Sequence, residues 1–155
     1  MTKAEIPMKL PSINEYIAAS KIQKGKWNKG NQMKQDYQKE MIPFFKDIPE
    51  YTEAVKIDFT WVEKNRKRDL DNICWAKKFI LDALVQAGKI PDDSQTYVGD
   101  FEDHFELGSE YKVILKIKKK GKEKCKKDVA HAEGSHSAEK NQRPARNGQK
   151  RIQKS

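Results

Sequence analysis

Within Ala54-Val55-Lys56-Ile57-Asp58-Phe59-Thr60-Trp61-Val62, apolar and polar side chains alternate from Val55 to Trp61. That period predicts a β-strand with Val55, Ile57, Phe59 and Trp61 on one face. Further on, Leu70, Ile73, Ala76, Ile80, Ala83, Leu84 and Ala87 recur at three- and four-residue steps, the mark of an amphipathic helix with one core-facing stripe. Gly88 follows as its C-terminal cap. A half-buried strand feeding an amphipathic helix points to an α+β domain.

Between strand and helix lies Arg66-Lys67-Arg68-Asp69-Leu70-Asp71-Asn72. If Asp69 and Asp71 sit on an extended segment, their side chains share a face and can reach one cation. Two carboxylates so close repel, and a hard divalent ion relieves the repulsion; Mg2+ commonly takes one or two carboxylates and keeps its other positions for water and phosphate. The alternative is capping, in which an Asp before an apolar-periodic run accepts hydrogen bonds from the first helical amides. Spacing alone leaves the two readings even. Lys77 and Lys78 fall off the apolar stripe and can present an ammonium to a phosphate near these acids. The turn after the helix, Pro91-Asp92-Asp93-Ser94-Gln95, offers a further carboxylate.

The remaining elements are legible in outline. Ile6 to Leu10 reads as a short strand, and Met33 to Phe45 as a helix with Met33, Tyr37 and Met41 on one side, ending near Pro43. Ser20 to Gln32 reads as a mobile loop whose Lys24, Lys26 and Trp27 suit a DNA backbone and an exposed base. Thr96 to Phe105 and Tyr111 to Ile117 read as two strands, and Gly108-Ser109 between them suggests a hairpin. Asp100, Glu102, Asp103 and Glu106 read as a solvated strand face. The expected fold is α+β, a single small domain over residues 1–118 with about four strands in a mixed sheet and two main helices.

Composition bounds the rest. The 155 residues carry a formal net charge of +9, but fourteen of the 32 Lys/Arg and only four of the 23 Asp/Glu lie from Lys116 onward. The basicity therefore belongs to the C-terminal region, which adds a sequence-independent, salt-sensitive attraction to phosphates. Residues 119–155 have hardly any apolar side chains and are expected to be a disordered basic tail. Cys74 and Cys125 form no C-x-x-C and no Cys/His cluster, so neither a zinc site nor a disulfide framework is supported. No apolar run is long enough to span a membrane, and Met1 to Glu5 lack a secretory apolar core, so a soluble cytoplasmic protein is expected.

Three ordered blocks carry a resemblance. Lys9-Leu10-Pro11-Ser12-Ile13-Asn14, then Arg68-Asp69-Leu70-Asp71-Asn72 with Lys78-Phe79-Ile80-Leu81-Asp82-Ala83-Leu84, then Gly88 and Asp92-Asp93-Ser94-Gln95 resemble the RusA family of Holliday junction resolvases, encoded by phages and prophages. The likeness spans roughly residues 6 to 118. It implies a Mg2+-dependent endodeoxyribonuclease, with Mn2+ as a possible substitute, acting as a homodimer on four-way DNA in the host cytoplasm, without a small-molecule cofactor. It implies Asp69, Asp71 and Asp93 as metal-binding, catalytic acids and Lys78 as the catalytic lysine, four residues before the Asp-Ala-Leu element. The family places that lysine four residues after the second Asp, whereas Lys78 lies seven after Asp71, which leaves Lys77 as a rival. Arg66, Lys67, Arg68, Lys77, Lys24, Lys26 and Trp27 are the expected DNA contacts. A branch or flap endonuclease, and a junction-binding protein without cleavage, are the competing readings.

Overall fold

A computed structural model describes residues 1–121. The expected disorder of residues 119–155 lies, apart from the first three, outside the described residues. In chain order the elements are β1 (Thr2–Ile6), α1 (Ile13–Ser20), β2 (Gln23–Lys24), β3 (Trp27–Asn28), α2 (Lys29–Met41), a 3-10 turn (Ile42–Phe45), β4 (Val55–Glu63), α3 (Leu70–Cys74), α4 (Lys77–Gln86), β5 (Val98–Leu107) and β6 (Lys112–Lys119). The fold is α+β, with a four-stranded mixed sheet in the order β1-β6-β4-β5 and a small two-stranded ribbon of β2 and β3. No helix of the described residues is long and apolar enough to cross a membrane.

The alternating run behaves as its period demands. Val55, Ile57 and Phe59 are fully buried and Trp61 nearly so, while Lys56 and Asp58 point to the opposite, half-exposed face. In register with them, Val113, Leu115 and Ile117 of β6 continue the buried row. Phe79, Ile80, Ala83 and Leu84 of α4 close over this face together with Met41 and Phe45. Truncating a buried aromatic such as Phe59 to alanine costs about 3–5 kcal/mol, enough to threaten a small domain.

Several expectations need correction. β5 and β6 are not a hairpin: β5 lies parallel to β4 and β6 antiparallel to it, so β4 separates the two. The strand buried on both faces over most of its length takes the central position, and the short connection crosses its C-terminal end. Gly108 makes that crossing possible, because a Cβ there would stand 2.6 Å from the Val62 side chain, and its amide donates to the Glu63 carbonyl at 2.9 Å. The first strand runs earlier than Ile6 to Leu10, since Ala4 and Ile6 pair with Leu115 and Val113. Residues 20–32 are not an open loop: Lys24 pairs with Trp27 around a tight turn containing Gly25, and α2 begins at Lys29, capped by the Asn28 side chain.

The helix expected over residues 70–87 is broken. α3 ends at Cys74, and a tightened turn carries the chain into α4 through Ala76 N–H to Ile73 O and Phe79 N–H to Ala76 O hydrogen bonds. That turn sets the Trp75 ring 5.0 Å from Tyr16 and 5.3 Å from Phe79. Leu70, assigned to the apolar stripe, is instead 56% exposed. Gly88 caps α4 as expected, with φ +69° and the paired bonds Gly88 N–H to Val85 O and Lys89 N–H to Leu84 O, both 2.9 Å.

Candidate active site

β4 delivers the chain to the site, and Arg68 anchors it there. The Arg68 guanidinium donates to both Glu63 carboxylate oxygens, Nε at 3.0 Å, and Nη1 donates to the Leu10 carbonyl at 2.9 Å. Glu63 is the last residue of β4 and is buried, so this ion pair ties the loop after the strand back to the sheet and to the segment before α1. Three of the five N–H donors of Arg68, one of the expected DNA contacts, are thus engaged within the fold. Arg66 and Lys67, by contrast, are exposed.

Asp69 and Asp71 do not share the face of an extended segment. Asp69 is the N-cap residue of α3, with φ −70° and ψ 150°, and Asp71 lies in the first helical turn. Asp69 thus occupies a capping position, yet its side chain makes no capping hydrogen bond. Both aspartates are exposed. Their carboxylates stand at a helix N-terminus, where negative charge is tolerated, without being spent on it.

The third aspartate has a different environment. Lys78 Nζ donates to Asp93 at 2.5 Å and to Asp82 at 2.9 Å, and Asp82 also faces Lys34 of α2 at 2.6 Å. This chain of alternating charge links α2, α4 and the turn after α4. The hydrogen bond to Asp93, then that to Asp82, pushes the Lys78 pKa above the ordinary lysine value. The Lys78 ammonium in turn holds the Asp93 carboxyl below the ordinary carboxylate value. With α3 and α4 separated, the seven-residue step from Asp71 to Lys78 is not two turns of one helix.

Lys77 points elsewhere. It is ion-paired with Asp103 and lies 4.2 Å over the Phe101 ring, with a side chain only 15% exposed. Its ammonium is paired with Asp103, and Asp93 is paired with Lys78 instead. Asp103, expected on a solvated face, lies on the helix side and accepts from Trp61 Nε1 at 2.8 Å. Its neighbours Phe101 and Phe105 at two-residue spacing carried that signal. Asp82 and Lys34 were missed because only tertiary packing brings α2 against α4.

Among the described residues no three His, Cys, Asp or Glu side chains come together as a metal-holding group. Asp69 and Asp71 nonetheless have the hard oxygen donors that suit Mg2+, which needs few protein ligands. On the β2–β3 ribbon, Lys24 and Lys26 are exposed and Trp27 is 43% exposed. No family model matches the sequence, and no curated protein is significantly similar to it.

Proposed function

We propose that this protein is a Mg2+-dependent endodeoxyribonuclease that cuts branched DNA of the four-way type, as the RusA resemblance implies, with Mn2+ as a possible substitute. The observation that carries the reading is the Lys78–Asp93 contact. It joins two blocks of the resemblance, fifteen residues apart, into one charged pair. The exposed Asp69 and Asp71 at the start of α3 supply unspent carboxylates, and these two would hold the ion. Such an ion, when bound, neutralises charge on a phosphate and makes water a better nucleophile.

The chain's own side chains do the rest. Lys78 stays protonated at neutral pH and donates to phosphate oxygens as charge builds on them. Asp82 and Asp93 hold its ammonium in place. Arg66 and Lys67 pair with phosphates flanking the cut, which positions the strand without reading its sequence. Lys24, Lys26 and Trp27 add a second contact, two cations and one stacking surface. Two symmetric cuts in a four-way junction call for two copies of this site, so the acting form is a homodimer.

The test is cleavage of a labelled four-way junction in Mg2+, beside linear duplex and flap substrates, by the wild type and Asp71→Asn. Paired nicks confined to the junction, lost in the variant with binding retained, are expected. Binding without cutting by the wild type in both Mg2+ and Mn2+ would sink the proposal, and cutting confined to the flap would reassign the substrate.

A further inference from the structure

A cleft of about 350 Å3 opens beside Asp69, between the end of β4, the start of α3 and the end of β5. Its apolar walls are Leu70, Ile73, Phe105 and Leu107. Leu70 and Leu107 are 56% and 55% exposed, on different elements yet facing one space. Single surface leucines are ordinary; two lining one cleft make a continuous apolar lining open to solvent.

The polar groups define what this space accepts. Glu63 and Arg68 also line it, but they neutralise each other, and their close oxygens and nitrogens are engaged. The pair therefore offers no net charge to an ion, and the apolar walls beside it suit a neutral group with apolar faces. Asn65 uses its side-chain oxygen to accept from the Lys67 amide at 3.1 Å. Its NH2 group remains available to donate to the polar edge of an occupant. Arg66, at the cleft, and Lys67 next to it are exposed cations that suit an anion attached to that group. Asp69 and Glu106 also line the cleft and would repel a phosphate, so the anion belongs on the Arg66 and Lys67 side.

A neutral, flat group with a polar edge, joined to a phosphate, is a nucleotide of a DNA strand. We propose that the cleft receives one unstacked nucleobase from the branched DNA, held between Leu70 and Leu107 while its phosphate meets Arg66. This rests on the nuclease reading given above. Bases at a branch point have lost stacking continuity, so drawing one out costs least there. The cleft then contributes preference for branched over linear DNA, which the exposed cations alone cannot supply.

The experiment places 2-aminopurine at the nucleotides flanking the branch point and follows its fluorescence as the full chain binds without divalent ions, so that no strand is cut. Wild type should give a rise at one position, reporting an unstacked base. Leu107→Ala should lose most of that rise, and Leu107→Trp, which fills the space, should abolish it. Both variants should retain their thermal midpoint and their binding to linear duplex at low salt. A rise that both variants keep, or tight junction binding by the wild type with no rise at any flanking position, would overturn the cleft assignment. Either result leaves the nuclease reading standing, because junction cleavage in Mg2+ by the same preparations decides that separately. Absence of junction binding altogether would overturn both.

Discussion

Asp69 and Asp71 at the start of α3, and Asp93 in the turn after α4, differ in what their carboxylates touch. The first two are exposed, and Asp69 makes no capping bond even though it holds the capping position. Asp93 is bound to Lys78, which is bound to Asp82, which faces Lys34. One acidic region leaves its carboxylates open to solvent, and the other is engaged with a cation. The same contrast separates the adjacent lysines: Lys77 is mostly buried against Asp103 and Phe101, and Lys78 is 54% exposed. It also separates Arg68, locked to Glu63, from its exposed neighbours Arg66 and Lys67. Residue type alone does not say whether a charge belongs to the fold or to a ligand. What surrounds it does.

The largest expected effect is on cutting. Asp69→Asn and Asp71→Asn should each lower junction cleavage by at least about a hundredfold, yet shift unfolding by no more than about 0.5 kcal/mol, as exposed substitutions do. A matching loss of stability in a urea titration would mean these carboxylates serve the fold after all.

Glu63→Gln and Arg68→Ala reverse that pattern. Removing one partner of a mostly buried ion pair should destabilise the domain by about 3 kcal/mol, read as an earlier urea midpoint. Arg66→Ala under the same titration should leave the midpoint where it was. Equal stability of all three would break the distinction between the arginines.

Lys78→Ala should sharply reduce cutting, while costing less than about 1 kcal/mol of stability because the lysine itself is 54% exposed. Its pH dependence follows from the two shifts. The pair's stabilisation through Asp93 is complete above the ordinary carboxylate value of 3.8 and fades as pH falls through the lower folded value. Through Lys78 it is complete below the ordinary 10.5 and fades as pH rises through the higher folded value. Between those limits the stability difference between wild type and Lys78→Ala should be flat. A step near neutral pH would show that another group controls the pair.

The smallest effect concerns encounter. Replacing Arg66 and Lys67 together by alanine should weaken binding to every DNA shape alike, and lower the slope of log affinity against log salt by about 0.9 for each phosphate that is no longer neutralised. An unchanged slope would remove both from the DNA surface. Lys77→Ala serves as the control, since its ammonium is held by Asp103.

Much of this was legible in the residues because it is local. Alternation placed Val55, Ile57, Phe59 and Trp61 in the core, the 3.6-residue period placed Ile80, Ala83 and Leu84 there, and Gly88 closed α4. The hairpin expected of β5 and β6 failed because sequence neighbours pair by default, whereas β4 inserts between them. The continuous helix failed at Trp75, whose ring packs against Tyr16 on another element. The Asp-x-Asp spacing left the extended and helix-start placements even, and the structure puts both members at the start of α3.

Sequence by itself determined the apolar faces of β4 and α4 and the Gly88 cap, since these follow from side-chain size and period along a short chain segment. Only the tertiary structure decided the partner of each charge. Glu63 reaches Arg68, Lys77 reaches Asp103 and Lys78 reaches Asp93 because packing brings separate elements within the few ångströms over which ion pairs form, a distance no spacing in one dimension can fix.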